Sequence, residues 1–155
     1  MTEPRLTHLD ERGQARMVGV GHKPPVGRRA VAEALVRMAP ESARAMAEGA
    51  LPKGDAAAVA RVAGIMAAKR TPELVALCHP LPIDRVAVEV EVDPDAGEVR
   101  ITAVVETTAR TGVEMEALTA VAVAALNVYD LVKGIDPGIV IDGVRLLEKI
   151  KGEPG

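Results

Sequence analysis

The stretch Arg85-Val86-Ala87-Val88-Glu89-Val90-Glu91-Val92, followed by Asp93-Pro94-Asp95-Ala96-Gly97 and then Glu98-Val99-Arg100-Ile101-Thr102-Ala103-Val104-Val105, decides the fold. Valine at 86, 88, 90 and 92 alternates with Arg85, Ala87, Glu89 and Glu91, which puts the valines on one side of an extended chain. β-branched residues in that rhythm predict a strand with one buried face. Residues 93–97 gather Asp, Pro and Gly, the residue types of a tight connection, so a hairpin loop is expected there. Val99, Ile101, Ala103 and Val105 carry the apolar face back along a return strand.

Working outward, residues 28–38 pose a conflict. Their alanine content favours helix, yet Arg29, Val31, Glu33, Leu35 and Arg37 alternate with Ala30, Ala32, Ala34, Val36 and Met38. The alternation predicts a strand with a small-residue apolar face. Pro40 then opens a short helix that Gly49 ends. Asp55 is placed to cap a helix running to about Lys69. Pro72, Pro80 and Pro82 break the chain into turns, leaving Cys78-His79 on a loop. Val113 to Lys133 reads as the longest helix, stopped by Gly134 and Pro137, and Ile139 to Ile150 as a closing strand. Toward the N-terminus, Met17 to Val20 reads as a short strand and Gly21 to Gly27 as a loop. Residues 1–16 and the tail 151–155 are expected to be loosely ordered. A hairpin, further strands and several helices without regular βαβ repetition give one α+β domain over residues 1–155.

Composition narrows the function. Tyr129 is the only aromatic residue, so the core must be built from Val, Ala, Leu, Ile and Met. Small side chains bury less apolar area each, at about 25 cal/mol per Å², which favours burying more surface between copies of the chain. A formal net charge of −3 argues against nucleic acid or an acidic membrane as partner. Missing aromatics also remove the usual stacking platforms for single strands. One cysteine, Cys78, excludes an intrachain disulfide and suits a reducing compartment. The longest apolar stretch, Leu118 to Leu126, falls short of the ~20 residues of a membrane span. Glu3, Arg5, His8 and Asp10 stand where a signal peptide would be apolar. A cytoplasmic location is expected.

Four clusters could do chemistry. Lys53-Gly54-Asp55 lies at a helix start, where backbone N–H groups and the dipole favour an anion, although an exposed lysine beside a cap looks the same in sequence. Lys69-Arg70 at the other end of that helix reads equally well as dipole-complementing surface charge. Leu77-Cys78-His79-Pro80-Leu81-Pro82 is a proline-locked loop that fixes the directions of Cys78 and His79. His79 suits hydrogen bonding or proton transfer near neutrality. No zinc-type spacing joins it to His8 or His22, and no metal site is expected. The long helix opens with Thr111-Gly112-Val113-Glu114-Met115-Glu116 and ends with Asn127, Tyr129, Asp130 and Lys133. Glu116, Asn127 and Asp130 share roughly one face, and Lys133 lies one turn beyond Asp130. With Ala120 and Val123 in its middle, that face is not a plain solvated stripe. An Asp/Lys pair there could serve as coupled base and acid, each shifting the other's pKa. Glu116 and Asp130 are about 21 Å apart along a straight helix. If both ends work, each belongs to a different site completed by another copy.

In their order along the chain these blocks resemble the molybdenum cofactor biosynthesis protein C family, the cyclic pyranopterin monophosphate synthases. The carrying stretches are Leu6-Thr7-His8, Lys53-Gly54-Asp55, Ala63-Gly64-Ile65 with Ala67 to Thr71, Leu77 to Leu81, Thr111 to Ala120, Tyr129-Asp130 with Lys133, and Val144 to Leu147. The resemblance implies a ferredoxin-like subunit in a hexamer, a trimer of dimers with sites at interfaces. It implies conversion of 3′,8-cyclo-7,8-dihydro-GTP to the cyclic pyranopterin monophosphate with loss of pyrophosphate. No redox cofactor is implied, because the substrate already has the pterin's oxidation level; magnesium with the triphosphate is left open. By position, Asp130 resembles the family's active-site acid, and Lys53 and Lys133 its catalytic lysines. Leu77, Cys78, His79, Met115 and Glu116 resemble its substrate-binding residues, with Lys69, Glu114, Lys23 and Arg28 as further pocket residues. One position departs: the family typically reads Met-Val-Asp-Val-Ser where this chain has Met17-Val18-Gly19-Val20-Gly21, so any role of that carboxylate is missing. The other reading of the same residues is a non-catalytic nucleotide sensor of ferredoxin-like fold.

Overall fold

The computed structural model describes residues 7–152. Strand β1 (Val26–Arg37) is followed by helices α1 (Pro40–Ala47), α2 (Ala56–Lys69) and the single turn α3 (Thr71–Leu74). The hairpin β2 (Arg85–Asp93) and β3 (Glu98–Ala109) comes next, then α4 (Glu114–Val132) and β4 (Val140–Lys151). The four strands form one antiparallel sheet in the order β2-β3-β1-β4. A βαββαβ chain with β1 and β3 central is the ferredoxin-like arrangement.

The period-two pattern of residues 28–38 overrides their helix propensity because each face of β1 finds its own environment. Ala30, Ala32, Ala34 and Val36 are fully buried beneath the helices. On the opposite face Glu33 is only 2% exposed, because Arg100 of β3 (3.1 Å) and Arg145 of β4 (2.7 Å) close over it. That triad ties the edge strand β4 to β1 and, across it, to β3. Arg29 reaches Glu106 and Glu148, and Arg37 reaches Glu98 and Asp142, in the same alternating way.

Helix α4 lies on the sheet through Ala117, Ala120, Val121, Ala124, Ala125, Val128 and Val132, a stripe at helical spacing. It is long and apolar enough to cross a membrane, but half of it is buried in the fold, as befits a core helix. Helix α2 runs antiparallel beside it. Asp55 caps α2 by accepting the Ala58 N–H at 3.0 Å. The two helices meet at Gly64, where a Cβ would lie 3.0 Å from the Ala120 carbonyl oxygen and 3.3 Å from the Ala124 Cβ. This close approach brings the start of α2 to the end of α4, and the loop after α3 to the start of α4.

Three expectations need correction. Met17 to Val20 is not a strand: among the described residues outside named strands, only Leu9 and Ala15 bridge. The segment meets no free sheet edge, and the Val18 carbonyl is taken by the His79 ring instead. Residues 7–16 turn around Asp10, whose Oδ1 accepts the Arg12 and Gln14 N–H groups at 2.9 Å. Lys151 extends β4 by pairing with Arg28, and the Gly152 N–H reaches the Gly27 carbonyl. Residues 1–6 and 153–155 lie outside the described residues. Pro72 opens α3 rather than breaking the chain, since the first turn of a helix needs no N–H from it.

Candidate active site

The expected residues gather at the two ends of α4. At its start, the loop after α3 presents Cys78 to the first helical turn, with the Cys78 Sγ 3.7 Å from Glu116 Oε1. Glu116 is 2% exposed and its Oε2 has no partner. Burial pushes the Glu116 carboxyl upward and the Glu114 charge adds to this, while a backbone N–H and the Cys78 thiol pull the other way. The Cys78 thiol is raised to about 11, first by burial and then by the Glu116 and Glu114 charges. Cys78 is therefore a thiol donor, not a nucleophile, at neutral pH.

His79 Nε2 lies 2.6 Å from the Val18 carbonyl oxygen. A carbonyl can only accept, so Nε2 carries the proton and a neutral ring offers Nδ1 as acceptor. Glu114 Oε1 accepts from Lys149 at 2.9 Å. Gly112 makes room for this pair: a Cβ there would run into Glu114 Oε2 and lie 3.3 Å from Lys149 Cε. Lys23, Cys78, His79, Glu114 and Met115 line one cavity of about 290 Å³. Leu77 is half-buried in the turn just before it. Arg28 joins the neighbourhood through the Arg110 carbonyl, 3.2 Å from its Nη2, and Arg110 in turn holds the Lys23 carbonyl.

At the other end of α4, Lys133 Nζ lies 2.7 Å and Lys53 Nζ 3.5 Å from Asp130 Oδ1, and Lys53 also donates to the Asp130 carbonyl at 3.2 Å. The face suggested a sheltered pair. Instead all three side chains are about half exposed, because Asp130 and Lys133 lie off the stripe, here Val128, Leu131 and Val132, that α4 buries. The hydrogen bond from Lys133, its charge and that of Lys53 hold the Asp130 carboxyl below the usual range, and Asp130 raises Lys133. The pair is thus doubly charged: a carboxylate base with two ammonium groups beside it.

The chain does not unite the two ends. Lys69, at the far end of α2 from Lys53, lines a different cavity of about 240 Å³ with Ile65, Leu81, Ile83, Asp84 and Arg85. Sequence reasoning overlooked Lys149 and Arg110. Their signal is positional: Arg110 immediately precedes Thr111-Gly112, and Lys149 lies on β4 opposite Ala30, whose face carries the helices.

The chain is similar over nearly its whole length to known proteins. The model of the MoaC family matches residues 17–152. A relative from Thermomicrobium roseum is 59% identical over 97% of this chain and 90% of its own length. Relatives from Pelotomaculum thermopropionicum and Roseiflexus castenholzii are 56% and 55% identical over 97% of this chain, covering 88% and 95% of their own lengths. All three are named cyclic pyranopterin monophosphate synthase. With its motifs, its strand order and the match over nearly its whole length in accord, the chain belongs to the MoaC family.

Proposed function

We propose that this chain is a lyase of molybdenum cofactor biosynthesis that converts 3′,8-cyclo-7,8-dihydro-GTP to cyclic pyranopterin monophosphate and releases pyrophosphate. The observation that carries the reading is Asp130 held between Lys133 and Lys53 in a chain of this family. Rebuilding a purine-derived ring into a pyranopterin requires several proton transfers, and an ionised carboxylate beside two ammonium groups supplies a base and two donors. The lysines also suit a substrate rich in negative charge. In this reading Asp130, Lys53 and Lys133 are catalytic. Leu77, Cys78, His79, Met115 and Glu116 hold the substrate, aided by Lys69, Glu114, Arg28 and Lys23. No redox cofactor takes part, because the substrate already has the product's oxidation level, and magnesium can accompany the phosphates. The sensor reading is not favoured, since relatives 55–59% identical carry the synthase name.

The same reading makes the enzyme a homo-oligomer, a hexamer built as a trimer of dimers in the cytoplasm, whose sites form between subunits. The separation of the two clusters along α4 supports this. Glu116 and Asp130 each lie seven residues from Val123, so a two-fold axis near Val123 with α4 antiparallel to its copy sets each Glu116 opposite Asp130 of the partner subunit. Met115 and Leu126, 37% and 57% exposed, offer the apolar surface for such a contact. Incubating the purified chain with the cyclised dihydro-GTP should yield pterin product and pyrophosphate in equal amounts. Absence of both from a folded, assembled sample would reject the lyase reading.

A further inference from the structure

Asp136 is a buried carboxylate that the chemistry proposed above does not use. It follows α4 in the turn Gly134-Ile135-Asp136-Pro137-Gly138 and is 8% exposed. Its Oδ1 accepts the Gly138 N–H at 2.8 Å, the ordinary geometry of an aspartate that starts a turn. Its Oδ2 does something the turn does not require: it accepts the Ala39 N–H at 2.8 Å, 97 residues away in sequence. Ala39 is the N-cap of α1 and offers no side-chain cap of its own. The buried Ser42 hydroxyl, in the first turn of α1, also supports the carboxylate. The Ala39 N–H first, and then that of Gly138, hold the Asp136 carboxyl below the usual range, so it is ionised at neutral pH.

The bond to Ala39 joins the two segments that carry the Asp130 cluster. α4 brings Asp130 and Lys133, and Asp136 lies just past Lys133. α1 leads through residues 48–52 to Lys53. α1 packs chiefly on β2 and β3. Met46 and Leu51 anchor this segment to the core by apolar contact, which is non-directional. The sheet rejoins the two segments only at Arg37 and Val140. Between residues 38–55 and 127–139, among the described residues, hydrogen bonds occur around Asp136 and between Lys53 and Asp130. The second is the contact to be placed, and the first is the directional tie that places it. Ala39 is a firm post for that tie, because the neighbouring Met38 N–H donates to the Gly97 carbonyl at 2.8 Å.

We propose that Asp136 is a positioning residue for the reaction: by tying the end of α4 to the start of α1, it sets Lys53 against Asp130. Its own partners are the two N–H groups and Ser42, not the lysines, so its effect passes through Lys53. Lys133 does not depend on it in this way, because Lys133 and Asp130 lie one turn apart on the same helix. The proposal rests on the synthase reading and deepens it.

The test reads that dependence in two ways, on the full assembled chain. A carbodiimide joins a carboxylate to an amine in contact with it, and mass spectrometry gives the ratio of Lys53-linked to Lys133-linked Asp130. Asp136→Ala should lower this ratio at least ~5-fold, since both lysines compete for one carboxylate and only Lys53 is displaced. In turnover of the cyclised dihydro-GTP, Asp136→Ala should lower kcat at least ~10-fold with KM within ~3-fold, as a displacement of about 1 Å suffices to do. In a Lys53→Ala chain the same substitution should cost under ~2-fold, because the interaction it serves is already gone. Ala39→Pro removes the N–H from the other side, at a φ of −61° that proline already adopts. It should repeat these shifts, and it decides the matter if Asp136→Ala does not fold. An unchanged ratio in either folded variant overturns the proposal, as does a kcat loss as large in the Lys53→Ala chain as in the unaltered one. Failure of both variants to fold also overturns it, because the tie would then serve the fold alone. The cross-link ratio needs no turnover, so an inactive unaltered chain would reject the synthase reading while the ratio still decides the role of Asp136.

Discussion

At the scale of single residues, the two ends of α4 are electrically opposite, and each makes a prediction. Asp130 is ionised and exposed between Lys133 and Lys53, so its loss should leave the fold intact and remove chemistry. Asp130→Asn, Lys53→Ala and Lys133→Ala are each expected to lower turnover at least about 100-fold, the scale of a positioned acid or base, with unchanged circular dichroism. Near-normal rates in all three would contradict their assignment. At the other end, the Cys78 thiol is raised from 9.0 to about 11. Its thiolate fraction at pH 8, and hence its alkylation by iodoacetamide, should be about 100-fold below that of an unperturbed thiol. The sign of the linked stability follows. Because the folded pKa is the higher one, the protonated thiol contributes in full below pH 9 and its contribution is lost as pH rises through 11. Relative to Cys78→Ala, the unaltered chain should therefore lose stability to urea across that window. A constant difference would mean that the thiol is not shielded.

These residues also mark what could be learned without coordinates. Lys53, Cys78, His79, Glu116, Asp130 and Lys133 were all legible as clusters, because each falls beside a cap, a proline or a helix end that sequence reveals. Their surroundings were not. The exposure of Asp130 depends on which face of α4 the sheet covers, and the contacts of Arg110 and Lys149 depend on pairing between strands distant in sequence. Neither is encoded in local spacing.

At the scale of elements, period-two alternation identified β1, β2 and β3, and it prevailed over alanine propensity in β1 because both faces were provided for. The same logic failed at Met17–Val20. Four residues with strand-like character do not make a strand without an edge to pair with, and only the tertiary fold says whether one is free. The contact between α2 and α4 gives the sharpest test at this level. A methyl group on Gly64 would meet the Ala120 carbonyl at 3.0 Å, and backbone cannot swing aside as a side chain can. Gly64→Ala gains helix propensity but must part the helices, so a net loss of about 1–3 kcal/mol is expected from its urea midpoint. Since α2 and α4 together carry both clusters, turnover should fall with it. A stabilised variant would show that the helices are not in tight contact there.

At the scale of the whole molecule, the apolar surface left uncovered bears on assembly. The edge strand β4 exposes Val140, Val144, Leu146, Leu147 and Ile150, each between 39% and 53%, and such an edge is normally covered. The near absence of aromatic residues already pointed this way, since a core whose largest fully buried side chain is Ile101 has little apolar area to spare. Which surfaces meet could not be read from the sequence, because it depends on side chains left uncovered after folding.

The central claim is that Glu116 and Asp130 work in one site while lying about 21 Å apart on one helix, and subunit mixing tests it most directly. An inactive Glu116→Ala chain and an inactive Asp130→Asn chain are dissociated, combined and reassembled, with exchange verified by mass spectrometry. Mixed assemblies should contain some sites free of both lesions and regain partial turnover of the cyclised dihydro-GTP. If exchanged assemblies remain as inactive as their parents, each subunit holds its own complete site and the claim is wrong.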